Sequence, residues 1–147
     1  MSYSNYGYKK YLKGDIIITD PCYIIKDDTD DWELCSCGRN MKVLGINNYL
    51  CNSTIYGDWS CTTFEENSNR KMGEFCADAG LVAVFLLDEV LKYNPDFDYH
   101  KKRLWTTTLI KNFRGEVSLE LIENEYGEEV SVFGKGNVNF YTKQTGL

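Results

Sequence analysis

A cysteine and a histidine are the residues of this chain that most directly point to covalent chemistry. Cys22 lies in the stretch Asp20-Pro21-Cys22-Tyr23, and His100 is the single histidine of the 147 residues. A nucleophilic cysteine needs a base that generates the thiolate, and His100 would be that base, with Asp20 or Asp98 orienting its ring. The alternative is a thiol packed under a tight turn, because free cysteine is among the most buried residue types. We favour the packed thiol and keep Cys22 and His100 as the catalytic candidates.

Three acids have positions that could suit a metal ion. Asp20, Asp58 and Asp78 each lie at the end of an apolar extended segment, close to proline or glycine. If those ends converge, the carboxylates could bind Mg²⁺ or Ca²⁺ through oxygen. The alternative is that each side chain caps its own turn by accepting backbone amide hydrogens, which is common for aspartate beside proline or glycine. We favour capping, and the sequence therefore predicts neither a metal nor a cofactor.

The cysteine spacing does not favour zinc. A structural zinc site usually has two closely spaced pairs of cysteine or histidine ligands. Here one C-x-C pair, Cys35-Ser36-Cys37, stands without a second pair. The other thiols fall in strand-like runs, or in the turn at Cys22, where reduced cysteine behaves as a small hydrophobic residue.

Tyrosines and lysines alternate near the start of the chain, and a second basic cluster follows in the middle. Aromatic rings that stack on a base, beside cations that hold a phosphate, suit a small nucleotide-like ligand. The same mixture suits a protein interface, or a strand that packs its tyrosines on the body of the protein. The candidate ligand-binding residues are Tyr6, Tyr8, Lys9, Lys10, Tyr11, Lys101, Lys102 and Arg103.

Composition excludes some classes of protein. The net charge is −6, whereas a protein that binds duplex nucleic acid needs a basic face. The first residues contain no apolar signal core, and no run reaches the length of a membrane span. We therefore expect a cytoplasmic protein with reduced thiols, no membrane and no duplex nucleic acid as partners. Its length fits one domain, 1–147, in which residues 1–13 form an arm or a strand laid on the body.

The first two thirds of the chain alternate short extended runs with turn residues. Residues 15–19 are β-branched and predict a buried strand, which Pro21 ends because proline donates no amide hydrogen. Asp30 as N-cap and Gly38 as stop predict one short helix, and Asp88 as N-cap predicts a second over 89–93, before Pro95. Further extended segments are expected at 23–25, 42–46, 49–52, 53–64 and 74–87, the last with a bend at Gly80.

The last third predicts the fold class most directly. Four strands are expected at 105–113, 116–123, 129–133 and 138–142, separated by Arg114-Gly115, Tyr126-Gly127 and 134–137. Within them apolar and polar residues alternate, which is typical of a sheet with one buried and one wet face. The sequence therefore predicts an α+β protein, a mainly antiparallel sheet with a C-terminal meander and two short helices.

The chain contains three short boxes in the order Asp20-Pro21-Cys22-Tyr23, Tyr56-Gly57-Asp58 and Asp78-Ala79-Gly80. With these boxes it resembles an uncharacterised family of small phage and bacterial proteins. That family carries D-P-C-Y, Y-G-D-G-like and V-D-A-G-like boxes, and the resemblance covers about residues 14–142 on motif order. The sequence departs from the family pattern at two places. It has Trp59 where the family has glycine, and Cys76-Ala77 where the family has a hydrophobic residue before the aspartate. The matching residues are Asp20, Pro21, Cys22, Tyr23, Tyr56, Gly57, Asp58, Asp78, Ala79 and Gly80.

We therefore expect a non-enzymatic binding protein. The resemblance to phage-borne proteins implies interference with host defence, either by sequestering a nucleotide signal or by docking on a host protein in the host cytosol. One alternative is a small hydrolase that uses Cys22 and His100, or a metal held by the three acids. Another is a structural component of a virion. The sequence leaves homo-oligomers open.

Overall fold

The computed structural model describes residues 9–24, 46–78, 80–99, 107–124 and 127–146. Within these ranges the chain forms eight strands, the helix α1 (Leu87–Tyr93) and a 3₁₀ turn at Pro21–Tyr23. The strands are β1 (Lys9–Thr19), β2 (Tyr49–Ser53), β3 (Trp59–Glu65), β4 (Lys71–Ala77), β5 (Leu81–Leu86), β6 (Thr108–Asn124), β7 (Gly127–Gly136) and β8 (Phe140–Gly146). None of the helices in these ranges is long and apolar enough to cross a membrane.

All eight described strands belong to one antiparallel sheet, in the order β2-β5-β1-β6-β7-β8-β3-β4. The C-terminal meander is the run β6-β7-β8, in which neighbours in the chain are neighbours in the sheet. The predicted class, α+β with a mainly antiparallel sheet, is confirmed.

Two short connections require the sheet to curl on itself. Residues 78–80 join β4, at one edge, to β5, which is second from the other edge. In a flat sheet these strands would lie about 29 Å apart, six spacings of about 4.8 Å. The connection spans roughly 14 Å at most. Residues 54–58 make a similar crossing from β2 to β3, so both connections lie at the end where the two sides of the curled sheet approach each other.

Strand alternation divides the apolar residues into two cores. On β1, Ile16 and Ile18 point into the concave side of the sheet, whereas Ile17 points to the outer side. The inner core is enclosed by the curl and includes residues from both of its sides, among them Leu12, Leu50, Cys61, Phe75, Val84, Phe113, Val117 and Phe140. The outer core lies between β2-β5-β1 and the residues of α1, and includes Tyr49, Ala83, Phe85, Leu87 and Val90.

Three glycines allow close packing on the β6-β7-β8 meander. A Cβ on Gly134 would lie 2.0 Å from Cε1 of Phe140, so the ring of Phe140 occupies the space that any side chain would need. Gly115 and Gly136 are directly paired, and a Cβ on either would lie within 2.2 Å of a backbone oxygen of the opposite strand.

The first strand begins earlier than the prediction of residues 15–19. Lys9–Lys13 pair with Ser118–Arg114 of β6, so the strand alternative for the N-terminal arm is confirmed for residues 9–13. A bulge between Gly14 and Ile16 separates this half from the buried half. The predicted extended path at 23–25 is wrong at Tyr23, which ends a 3₁₀ turn, because Asp20 caps that turn and Pro21 occupies its first position.

The helix predicted at 89–93 is confirmed and begins two residues earlier, at Leu87. Its N-cap is Leu86, which makes no side-chain cap bond, so the capping role predicted for Asp88 is wrong. The chain enters α1 directly from β5, which places Asp88 inside the first turn, where its charge suits the helix dipole. The predicted helix between Asp30 and Gly38, and residues 42–45 of the strand predicted at 42–46, lie outside the described residues.

The turn predicted at Arg114-Gly115 is wrong, and β6 runs continuously through it. Both residues stay in the sheet, opposite Lys13 and Leu12 of β1. The irregularity is instead Asn112, whose φ is +53° and whose N–H donates to Oδ1 of Asp15 at 2.8 Å. Asn137 supports this region, because its Oδ1 accepts from the N–H of Arg114 and its Nδ2 donates to the carbonyl oxygen of Asn112.

Candidate functional site

The first of the three boxes lies where β1 ends. Asp20 is fully buried, and its Oδ1 accepts from the N–H of Cys22 at 2.9 Å. The capping role predicted for this carboxylate is therefore confirmed. Its Oδ2 also accepts from the N–H of Leu81 at 3.4 Å, which ties the end of β1 to the start of β5.

The second and third boxes lie against each other at the same end of the sheet. The N–H of Asp58 donates to the carbonyl oxygen of Ala77 at 2.8 Å, and the N–H of Thr54 donates to that of Gly80 at 2.8 Å. Asp58 and Gly80 both have positive φ, +56° and +72°, a conformation that glycine adopts freely and aspartate tolerates. We call this region the mouth: Asp20, Asn52, Trp59, Gln144, the connection 54–58, Asp78 and Gly80.

A side-chain bond joins the first box to the third. The hydroxyl of Tyr23 donates to Oδ2 of Asp78 at 2.5 Å. Burial, this bond and the charge of Asp78 together raise the pKa of Tyr23 well above its usual range, so the phenol stays a donor at every ordinary pH. The three sequence boxes, far apart in the chain, therefore meet at the mouth.

Two thiols beside the mouth, those of Cys76 and Cys61, are protonated at neutral pH. Burial is the largest cause that raises the pKa of Cys76, followed by the hydrogen bond and charge of Asp78 and by the charges of Asp58 and Asp20, to about 11. Burial and the charge of Asp20 raise the pKa of Cys61 to about 12. All three acids thus act on Cys76. These environments oppose thiolate formation, which a nucleophile requires.

Cys22 itself is half-buried, and its backbone N–H is held by Asp20. Its sulfur takes no part in a disulfide, and the same holds for Cys51, Cys61 and Cys76. His100, the base of the hydrolase hypothesis, lies outside the described residues, as do Cys35 and Cys37. The structure therefore places Cys22 in the tight turn that the sequence favoured.

The inner wall of the mouth is polar, unlike the rest of the inner core. Asn52 follows Leu50 on the inner side of β2, whereas Tyr49 and Cys51 belong to the outer core. Asp20 continues the inner row of Ile16 and Ile18, since its backbone is extended. The register places both residues beside Val82 of β5, one on each side, with backbones about 10 Å apart.

Asn52 is the most unusual residue of the mouth. It is fully buried, and in the part of the chain that the structure describes its Nδ2 is a buried side-chain nitrogen without a hydrogen-bond partner. The orientation of the amide is set, because Oδ1 accepts from the N–H of Ser53 at 2.9 Å and a flipped amide would place two donors against each other. An orphaned donor of this kind costs about 1–3 kcal/mol.

An aromatic pair stands beside this polar wall. Tyr56 and Trp59 stack with ring centroids 4.4 Å apart and planes inclined by 26°. Trp59 pairs with Ala77, a residue of the inner core, so its side chain belongs to the concave side of the sheet. Gln144 positions the loop, because its Oε1 accepts from the N–H of Ile55 and its Nε2 donates to the carbonyl oxygen of Tyr56.

The acids do not form a metal centre in this arrangement. Among the described residues, no group of three or more histidine, cysteine, aspartate or glutamate side chains is placed to hold a metal ion. Asp20 uses both oxygens for backbone amides, and Asp78 accepts from Tyr23. The acids converge, as the metal hypothesis required, but the carboxylates of Asp20 and Asp78 accept from protein donors.

The predicted tyrosine and lysine site is not assembled at the mouth. Lys9, Lys10 and Tyr11 lie at the opposite end of β1 from Asp20. Lys9 forms an ion pair with Glu116 at 3.2 Å, and both side chains are more than half exposed. Tyr11 is 66% exposed. The remaining candidates, Tyr6, Tyr8, Lys101, Lys102 and Arg103, lie outside the described residues.

Sequence reasoning missed Asn52 and Gln144, and treated Trp59 only as a departure from the family pattern. Asn52 also begins an Asn-Ser-Thr triplet, a glycosylation signal that has no meaning for a side chain buried inside the sheet. The available signal was an asparagine inside an apolar strand, where that residue is uncommon. Comparison of the chain with protein-family models, curated proteins and solved structures finds no match.

Proposed function

We propose that this chain is a non-enzymatic binding protein that holds a small polar molecule at the mouth. The observation that carries this proposal is the buried amide of Asn52, whose Nδ2 has no acceptor within the described structure. Native proteins rarely leave a buried donor unsatisfied, and a ligand acceptor is one of the partners that explain such a donor. The neighbouring groups have the composition of a small-molecule site, with an aromatic wall and a few oriented polar side chains.

The chemistry of the mouth favours binding over catalysis. The raised pKa values of Cys61 and Cys76 keep those thiols neutral. The carboxylate of Asp20 is occupied by the amides of Cys22 and Leu81. What the mouth offers a ligand is hydrogen bonding and stacking. Sequestration of a small signalling molecule, the role that the resemblance implies, is a use for such a site.

Mass spectrometry of the purified protein tests this proposal. We expect heat denaturation of the wild-type chain to release one small compound in near-equimolar amount. In Asn52→Asp a carboxylate oxygen, which accepts hydrogen bonds, replaces Nδ2, which donates them. The variant should therefore release at most about a tenth as much compound as the wild type. Circular dichroism would confirm that the variant is folded.

Asn69→Asp is the matched control. Asn69 is exposed, and its Oδ1 accepts from the hydroxyl of Tyr141 at 2.8 Å, a bond that aspartate preserves. This variant should release the same amount of compound as the wild type. The proposal fails if the wild type releases nothing and if no polar metabolite in a thermal-shift panel raises its melting temperature.

A further inference from the structure

We propose that the ligand of the mouth is a planar nitrogen heterocycle of nucleobase type, bound as the base or nucleoside in preference to its phosphorylated form. This inference rests on the proposed function and names the chemical class of the ligand. It departs from the nucleotide-like ligand expected from the sequence, because that expectation depended on basic residues that the structure does not place at the mouth. Lys9 and Lys10 lie at the far end of β1, and 101–103 lie outside the described residues. Four features of the described residues support it.

The first feature is the donor inside the mouth. Nδ2 of Asn52 needs an acceptor, and Oδ1 cannot exchange places with it because the N–H of Ser53 holds that oxygen. A carbonyl oxygen or an unprotonated ring nitrogen is the matching group. The ligand therefore carries an acceptor at the edge that enters the site.

The second feature is the surplus of acceptors at the rim. Asp58 and Asp78 are both exposed, and Asp78 already accepts from the hydroxyl of Tyr23 and shares a hydrogen bond with Cys76. Each carboxylate has capacity for further donors. A ring that combines N–H groups with a carbonyl or ring nitrogen satisfies both the carboxylates and Asn52, which is the mixed pattern of a nucleobase edge.

The third feature is the aromatic pair. Tyr56 and Trp59 are stacked at 4.4 Å, and Tyr56 is 40% exposed. Stacking of a base on an aromatic side chain contributes about 1–3 kcal/mol and tolerates any base, because every base has a flat π face. A flat ligand extends this stack, whereas a sugar or an aliphatic chain gains less from it.

The fourth feature is charge. Three carboxylates lie at the mouth: Asp20 accepts from the N–H of Leu81, Asp78 accepts from Tyr23, and the backbone of Asp58 is bonded to that of Ala77, next to Asp78. The described lysines of the predicted phosphate site, Lys9 and Lys10, lie at the far end of β1. A phosphate at the mouth would meet like charge, and like charges repel most strongly where solvent is partly excluded.

Calorimetric titration with defined probes tests the ligand class. The probes are adenosine, guanosine, cytidine and uridine, each compared with its own 5′-monophosphate at one ionic strength. We expect at least one nucleoside to bind, and its monophosphate to bind at least about tenfold more weakly. The difference in affinity between the nucleoside and its monophosphate should be smaller in Asp58→Asn, because that variant removes one charge that repels the phosphate.

Two variants check that binding occurs at the mouth. Trp59→Ala should weaken nucleoside binding by about tenfold or more through lost stacking, whereas Tyr11→Ala, an exposed aromatic at the far end of β1, should leave it unchanged. If Asn52→Asp does not fold, the comparison of Trp59→Ala with Tyr11→Ala still decides whether the ligand binds at the mouth. Equal loss in both aromatic variants would overturn the assignment.

The outcomes separate the ligand class from the proposed function. A monophosphate that binds as tightly as its nucleoside overturns the class and leaves small-molecule binding standing. The same holds if no probe binds but denaturation releases a compound of another chemistry. If no probe binds, no compound is released and no metabolite stabilises the protein, both proposals are wrong.

Discussion

Asn52 and Cys76 show how burial changes what a side chain can do. Burial deprives the Asn52 amide of water, and its NH₂ group then lacks any acceptor among the described residues. Burial also raises the pKa of Cys76, and the nearby carboxylates raise it further. The first residue becomes a demanding donor for a ligand, while the second loses the reactivity that a cysteine beside acids first suggests. Neither effect follows from residue type alone.

The thiol of Cys76 should therefore react slowly with iodoacetamide, and more quickly in Asp78→Asn. The substitution removes the charge of Asp78 and keeps an oxygen that can accept from Tyr23, so the pKa of Cys76 falls from about 11. Each unit by which it falls gives about tenfold more thiolate at pH 8. Peptide mass spectrometry of timed alkylation at pH 8 measures the rate at this residue.

Asp96→Asn is the control for that experiment. Asp96 is an exposed acid in the turn after α1, and it is not among the acids that raise the pKa of Cys76. Its substitution should leave the alkylation rate of Cys76 unchanged. An equal rate in wild type and Asp78→Asn would show that Asp78 does not control this thiol.

At the scale of elements, α1 holds the entry to β2 through one carboxylate. Glu89, in the first turn of α1, accepts from the N–H of Asn47 at 2.7 Å, from that of Asn48 at 3.3 Å, and from Nδ2 of Asn48 at 2.7 Å. Burial raises the pKa of Glu89, but the bonds from Asn47 and Asn48 outweigh it, and the net pKa lies below the ordinary 4.5. The ionised form is thus favoured by folding.

Glu89→Gln should destabilise the protein at pH 7 by about 1–2 kcal/mol. Both oxygens of Glu89 accept from Asn47 or Asn48, and in the variant the NH₂ of glutamine would face one of these donors. The wild-type pKa is lowered, so this contribution is present above about 4.5 and is lost as the pH falls through the folded-state value. Urea unfolding of both proteins at pH 7 and pH 3.5 measures it. The difference between the two proteins should be smaller at pH 3.5 than at pH 7.

Asp88→Asn is the matched control, since Asp88 is the exposed neighbour in the same helical turn. Its effect should stay within about 0.5 kcal/mol at either pH. A difference between wild type and Glu89→Gln that is the same at both pH values would remove the carboxylate from the explanation.

Local sequence patterns predicted the elements better than their ends. Alternation found β7 and β8 and most of β6, because one face of each is buried. It misplaced the turn at Arg114-Gly115, since glycine there serves the close approach of β6 and β7 and not a reversal of the chain. The turn after Asp20 was predicted because its cap bond, from the N–H of Cys22, is local, whereas the second bond of Asp20, from Leu81 of β5, depends on strand order and could not be predicted.

At the scale of the whole molecule, the site depends on the curl of the sheet. The sequence could propose Asp20, Asp58 and Asp78, but their convergence depends on β4 and β5 lying on opposite sides of the curl. Strand order is a non-local property, and no local pattern carries it. The same reasoning explains Asn52, whose orphaned amide is visible only once β2 is placed beside β5.

The curl also predicts how the molecule opens. Strand β5 is paired on both sides and its residues Leu81–Phe85 are buried, whereas β4 pairs with β3 and ends the described sheet. We expect amide hydrogens of β5 to exchange only on global unfolding and those of β4 at least about tenfold faster. Hydrogen exchange followed by mass spectrometry of peptides 81–86 and 71–77 gives the two rates. Strand β3, which is paired on both sides, is the control and should be protected more strongly than β4. Equal protection of β4 and β5 would contradict an open edge. Loss of that protection on tenfold dilution would then show that a second copy of the chain covers β4.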